Sequence, residues 1–210
     1  MKIGMVGTGR MASALGRIWG EAGHEVFFGS RDPRRGRDAA AQAGSGARGG
    51  SYDEAARFGD VIVLAVPGDA AEVTARALAG VEGTAGRILV DPTNPLGVEL
   101  GSHESLAQRI QDAAPDLRVV KAFNSIHFAN LDAPRFGGGR AVGLFCGDDI
   151  PAKEVVRRLI ADVGLDPVDS GPLSNAWLLE AAALLWIDLA FERGQGMDTA
   201  LALLRREHRA

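Results

Sequence analysis

The sequence predicts a doubly wound α/β fold built on a mainly parallel sheet, and two observations carry that reading. Apolar runs of strand length recur at Ile3–Val6, Glu25–Phe28, Val61–Val66, Ile88–Val90, Val119–Phe123 and Val142–Phe145. The early runs are continuous rather than alternating, as expected of strands covered on both faces. Between them lie Met11–Ala22, Ala39–Ala43, Ala70–Ala79 and Leu106–Ala113, rich in Ala, Leu and Arg and read as helices. Such alternation makes βαβ units with right-handed crossovers. With 210 residues, 46% of them hydrophobic, the chain can bury one sizeable core.

The remaining elements follow in order. Gln42–Ser51, "QAGSGARGGS", reads as a flexible surface loop ahead of the third strand. Beyond Asp148, "DIPAKEVVRRLIADVG" reads as a helix, with Pro151 in its first turn and Gly164 at its C-terminal cap. "LDPVDSGPLSN" is a short extended stretch with turns, and Ser174 or Asn175 is placed to cap the next helix. That helix, "AWLLEAAALLWIDLAF", is apolar nearly all round, so it must be buried on more than one side. Interrupted by Glu180 and Asp188, it falls short of the roughly 20 residues that span a bilayer. "MDTALALLRRE", Met197–Glu207, reads as a last helix.

A net charge of −4 argues against nucleic acid, which requires a strongly basic face. The single cysteine, Cys146, rules out an intrachain disulfide and reads as a small buried apolar residue. A strand beginning at Lys2 leaves no room for a signal peptide. The expectation is a soluble cytoplasmic protein that meets small molecules, without nucleic-acid or membrane partners. No cysteine or histidine spacing suits a metal, so none is expected.

The first strand runs into Gly7-Thr8-Gly9-Arg10-Met11-Ala12 and then a helix. This is the G-x-G-x-x-A fingerprint of a Rossmann-type dinucleotide site in its confirming context. Gly7 makes the tight turn, Gly9 lets a pyrophosphate approach the backbone, and the amides of Arg10 and Met11 face the anion. The end of the second strand selects the dinucleotide. An acidic residue there holds the 2′-hydroxyl of NAD, but this chain has Ser30 and Arg31, followed by Arg34. A guanidinium binds a phosphate bidentately, so NADP is expected. Arg35 and Arg37 read as a solvated turn.

Two further strand ends carry proline, "LAVPG" and "VDPTNPLG". Ligands lie outside the carboxyl ends of such strands. Ala65, Val66 and Pro67 are therefore expected along the dinucleotide path, and Asn94 at its nicotinamide ribose. Of the histidines, His24 and His208 read as surface residues and His103 as a loop residue. His127, just past a strand end, is the one candidate to touch substrate. Lys121 lies inside a strand run.

The chain resembles the coenzyme F-420-dependent family of NADP oxidoreductases in "GTGRM", "GSRDP", "VKAFNSI", "CGDD" and, most specifically, "GLDPVDSGPLSNAWLLE". The likeness runs from Met1 to about Glu180. It implies hydride transfer between NADP(H) and a deazaflavin or flavin, with Thr8, Arg10, Ser30 and Arg31 holding NADP. It also implies that Phe123, Asn124, Ser125 and Ile126, together with Gly171, Pro172 and Leu173, face the second ring. Residues 1–170 are read as the NADP-binding Rossmann domain, and 171–210 as a C-terminal helical segment serving the second ring and homodimerisation. The chain departs from the family pattern after Ile126, where it passes directly through His127. "KAFN" also resembles the cytosolic domain of six-transmembrane ferric reductases. Two alternatives stand beside this one. One is an NADPH-dependent imine or carbonyl reductase related to pyrroline-carboxylate reductase, and the other a non-catalytic NADP sensor.

Overall fold

The computed structural model describes residues 1–204 and 206. Its strands, in chain order, are β1 (Lys2–Val6), β2 (Glu25–Ser30), β3 (Arg48–Ser51), β4 (Val61–Leu64), β5 (Ile88–Asp91), β6 (Arg118–Ala122), β7 (Arg135–Phe136), β8 (Gly139–Arg140), β9 (Val142–Gly147) and β10 (Asp166–Asp169). Eight of them form one sheet in the order β10-β9-β6-β5-β4-β1-β2-β3, while β7 and β8 make a separate hairpin. From β3 across to β6 every pairing is parallel; β9 then runs against β6, and β10 is parallel to β9. The chain winds outward from β1 to β3 and then returns to β4 on the other side of β1. That reversal is the switch point at which dinucleotides bind in such sheets.

The helices are α1 (Arg10–Glu21), α2 (Pro33–Ala43), α3 (Tyr52–Phe58), α4 (Gly68–Ala79), α5 (Leu106–Ala113), α6 (Ile150–Asp162) and α7 (Ala176–Ile187). Helices α1, α2 and α6 cover one face, where Leu15, Trp19, Phe28, Val156 and Leu159 pack together. Helices α3, α4, α5 and α7 cover the other, over Ile62, Leu64, Leu78, Leu89, Ile110 and Leu179. The sheet is thus covered on both faces, as its continuous apolar strands require. Pro151 lies in the first turn of α6, and Gly164 follows its last turn in the left-handed region at φ 87°.

Three sequence expectations need correction, and one helix adds to them. The loop expected at Gln42–Ser51 is confined to residues 44–47: α2 reaches Ala43, and Arg48–Ser51 is the edge strand β3, paired with β2. Helix α3 was missed, although Ser51 and Glu54 close its start as a reciprocal capping box. Met197–Leu204 is not helical; tertiary hydrogen bonds draw it out, from Asn130 Nδ2 to the carbonyls of Met197 and Thr199 and from the Val142 amide to that of Leu201. Arg205, and with it part of the expected last turn, lies outside the described residues, as does His208. Asn175 stands at the N-cap of α7, but its side chain bonds the Ser170 carbonyl, so neither it nor Ser174 caps the helix.

The helical run is also longer than the sequence suggests. A π-helical turn at Asp188–Glu192 extends α7, and Leu173–Glu192 is helical over 20 residues. By length and composition alone that would cross a membrane. Here one of its three carboxylates points inward. Glu180 is 2% exposed, and its Oε1 lies 2.9 Å from Lys121 Nζ. Lys121 and Asp91, both fully buried, meet at 2.8 Å, and Lys121 also donates to the Thr93 carbonyl.

The other lone pairs of this triad are filled as well. Thr93 donates to Asp91 through its amide and hydroxyl, and the first amides of α5, Leu106 and Ala107, donate to Glu180. Burial alone would push the Lys121 ammonium's pKa down; the two carboxylates outweigh it and hold it above the ordinary lysine value. Lys121→Met would leave two buried carboxylates unpaired. It is expected to cost about 3–5 kcal/mol in urea unfolding. A loss below about 1 kcal/mol would show that the triad does not hold α7 to the sheet.

Candidate active site

Beyond the end of β1 the chain turns on Gly7, whose φ is 121°. A Cβ there would overlap the Ala65 carbonyl beyond β4, so backbone packs on backbone at this point. Gly9 is different. Its φ of −75° and ψ of 176° suit any residue, and a Cβ built on it meets nothing within 4 Å. The space in front of Gly9 is a cradle that a side chain would fill, and the free amides of α1 begin beside it. Ala12, the third position of the fingerprint, is fully buried. These features fit a pyrophosphate.

Ser30 ends β2 at 7% exposure, and Arg31 is exposed beside it. Asp32, next to Arg31 in the chain, is engaged elsewhere: it caps α2, its Oδ1 accepting the Arg34 amide at 2.9 Å. Arg34 is exposed. Arg35, which the sequence reading gave to a solvated turn, lines a shallow cavity of about 180 Å³ with Thr8, Ser13 and Asp38. Ala65 and Val66 are half-buried after β4, and Pro67 stands at the N-cap of α4.

Beyond β5 and β6 lies a second cavity, of about 260 Å³, lined by Met11, Asn94, Asn124, Ile126 and His127 of the expected residues. Pro92, Leu96, Phe128, Trp186, Ile187 and Phe191 complete it, and the sequence reading had given none of these to the site. The last three come from α7 and the π-helical turn. Their signal was the all-round apolarity of that helix, of which one side faces core and another this cavity. Trp186 stacks on His127 at 5.8 Å and donates its Nε1 to the Thr199 carbonyl. The Arg10 guanidinium lies 4.6 Å over the Phe128 ring.

His127 accepts the Ala129 amide at Nδ1, which leaves the ring proton on Nε2. Burial first, and then the Arg10 charge, hold its pKa below the ordinary histidine value. At neutral pH it is therefore an uncharged hydrogen-bond donor rather than a strong acid. Asn94 and Asn124 clasp each other: Asn94 Nδ2 donates to the Asn124 carbonyl at 2.8 Å, and Asn124 Nδ2 donates to Asn94 Oδ1 at 3.0 Å.

Five residues assigned to a second ring are not in this cavity. Phe123 is buried with its ring 5.5 Å from Trp19, and its φ of 64° turns the chain so that Asn124 reaches the cavity instead. Ser125 is buried and does not line it. Gly171, Pro172 and Leu173 lie back along β6, away from its carboxyl end. Because β9 runs against β6, its end at Gly147 sits beside Val120, and Gly147 donates to the Gly171 carbonyl there. Leu173 instead lines a larger polar cavity of about 480 Å³ with Ser105, Gln108 and Asp148, away from the glycine turn. His24 is no plain surface residue; it pairs with Asp162 at 3.0 Å. Cys146 is fully buried, and burial pushes its thiol up to about 12, which leaves it unreactive.

Comparison with known proteins supplies the context. The family model described as NADP oxidoreductase, coenzyme F-420-dependent, matches residues 2–95. The F-420-dependent NADP reductase of Methanothermobacter marburgensis is 30% identical over 210 residues, covering 90% of this chain and 92% of that protein. Metalloreductase STEAP3 of Rattus norvegicus is 35% identical over 184 residues. That match covers 87% of this chain but 36% of the rat protein, so the chain spans about a third of its length. A crystal structure from Arthrobacter sp. FB24, assigned as an F-420-dependent NADP reductase, superposes with a TM-score of 0.85 at 27% identity, over 98% of this chain and 100% of that one.

The two glycines make opposite predictions. Gly9→Ala should leave urea stability within about 1 kcal/mol of the parent and weaken NADP⁺ binding at least about tenfold. Gly7→Ala should destabilise by more than about 1 kcal/mol, because the left-handed turn and the Ala65 carbonyl both exclude a Cβ. Unimpaired NADP⁺ binding by Gly9→Ala in calorimetry would remove the cradle.

Proposed function

The chain belongs to the family of coenzyme F-420-dependent NADP oxidoreductases, and on that premise we propose that it passes a hydride between NADP(H) and a deazaflavin such as coenzyme F-420, or a flavin. The observation that supports the choice of acceptor is the character of the 260 Å³ cavity. Among the described residues its lining contains no Asp, Glu, Lys, Arg or Tyr, and the one titratable group there, His127, has its pKa held below the ordinary histidine value. Reduction of an imine or ketone consumes a proton as well as a hydride, and an acid of suitable pKa must stand within reach. Reduction of a deazaflavin or flavin also takes up one proton, but at a ring nitrogen remote from the atom that receives the hydride, where solvent can supply it. Transfer between two stacked rings therefore asks chiefly for close approach, about 3–3.5 Å.

NADPH, when bound, supplies the hydride, and the chain's own groups hold and orient. The bare backbone at Gly9 and the amides of Arg10 and Met11 take the pyrophosphate. Ser30 and Arg31 take the 2′-phosphate, with Arg34 and Arg35 adding charge. Trp186, Ile187 and Phe191 keep water from the reacting rings.

The same reading includes a homodimer. Helix α7 and its extension leave Leu178, Leu184, Leu185, Leu189 and Phe191 exposed, Leu185 at 57%. Exposed apolar side chains clustered on one helix mark an interface, and twofold pairing is the commonest way to cover them.

Three outcomes check these statements. Arg31→Ala should cost roughly 1.5–3 kcal/mol of NADPH binding, about ten- to a hundredfold in affinity, and leave NADH binding nearly unchanged; equal losses would refute the 2′-phosphate assignment. In stopped-flow mixing, NADPH-loaded enzyme should bleach the oxidised deazaflavin as NADPH is consumed. A deazaflavin that stays oxidised while a cyclic imine consumes NADPH would overturn the acceptor. Sedimentation at micromolar concentration should give twice the chain mass, and a monomer would exclude the dimer.

A further inference from the structure

Among the described residues, one buried side-chain atom has no hydrogen-bond partner: Oδ1 of Asn124. Buried acceptors are rarely left so, because an unpaired one forfeits the hydrogen bonds it had in water. Its orientation is set by the other atoms of the same amide. Asn124 Nδ2 donates to the Leu179 carbonyl of α7 at 2.9 Å and to Asn94 Oδ1 at 3.0 Å. Turning the amide over would set oxygen against both of those oxygens, so the carbonyl is held in one direction by two bonds that leave it free. Asn124 is 5% exposed and lines the 260 Å³ cavity.

Met11 connects that cavity to the dinucleotide. Its amide is among the first of α1, beside the Gly9 cradle, and its side chain is part of the cavity wall. A dinucleotide whose pyrophosphate lies at Gly9 therefore carries its nicotinamide ring, one ribose further on, into this space. Such a ring bears a carboxamide with two N–H donors. We propose that Asn124 Oδ1 accepts a hydrogen bond from the nicotinamide carboxamide and so sets which face of the ring is turned to the second substrate. The carboxamide supplies the donor that the protein itself does not. Asn94 and Leu179 act through Asn124, as the groups that keep its oxygen turned to the ring. This rests on NADP binding and is independent of which acceptor is used.

The test changes the ligand before the protein. In 3-acetylpyridine adenine dinucleotide phosphate a methyl ketone replaces the carboxamide, keeping the carbonyl and losing the N–H donors. Calorimetric titration of the whole chain should show NADP⁺ binding at least about tenfold tighter than this analogue. In Asn124→Ala, with its fold checked by circular dichroism, the preference should vanish. Equal affinities in the parent, or a preference that survives in the variant, overturn the proposal. If Asn124→Ala does not fold, proton exchange of ¹⁵N-carboxamide-labelled NADP⁺ on the parent protein decides. Slowed exchange of one carboxamide proton is expected, and exchange as fast as in free NADP⁺ overturns the assignment. None of these readouts involves turnover, so a wrong acceptor leaves them unchanged.

Discussion

One ammonium and two carboxylates share a dry space beneath the carboxyl ends of β5 and β6, and the position of α7 depends on them. Lys121 is the hub, bonded to Asp91 on the neighbouring strand, to the Thr93 carbonyl and to Glu180 on α7. Charges taken out of water are tolerated only when nearly every lone pair and proton is matched. Here the match extends to the first amides of α5 on Glu180 and to Thr93 on Asp91. A helix docked by apolar contact alone could slide or rotate with little penalty. Pinned at Glu180, α7 has one register, and that register brings Trp186, Ile187 and Phe191 to the wall of the 260 Å³ cavity.

The charged triad and the uncharged cavity divide the work of the same few elements. Asp91 and Lys121 lie within the strands, while Asn94 and Asn124, three residues further along each chain, clasp across the strand ends and line the cavity. The fixed charges are thus sequestered one layer below the site, and the site itself is left apolar, aromatic and sparing in hydrogen bonds. That division suits chemistry carried by cofactors, in which the protein contributes position and exclusion of water.

Much of this was legible in the sequence where the constraint is local. The turn at Gly7 and the helix start after Gly9 are legible because strand, turn and helix follow one another within a few residues, and the end of β2 at Ser30 because the apolar run stops there. Strand β3 was not legible: "RGGS" has no apolar or β-branched residue, and it is held by pairing with β2 and by close backbone packing on Gly36 of α2. The helical periodicity of Met197–Leu204 lost to bonds from Asn130, Trp186 and Val142, residues far away in sequence. The turn at Gly171–Leu173 was misplaced because β9 reverses direction against β6, an event with no local signature. Trp186 and Phe191 escaped notice for a related reason. Their place at the cavity depends on the Lys121–Glu180 pair, which only the fold brings together.

The central claim is that the pinned α7 completes the nicotinamide site. A crystal structure of the chain with NADP⁺ tests it most directly. The account predicts the nicotinamide ring against Met11, Asn124 and His127 under Trp186, with Glu180 still on Lys121. A ring lying outside that cavity, or an α7 displaced from Lys121 to admit it, would contradict the account.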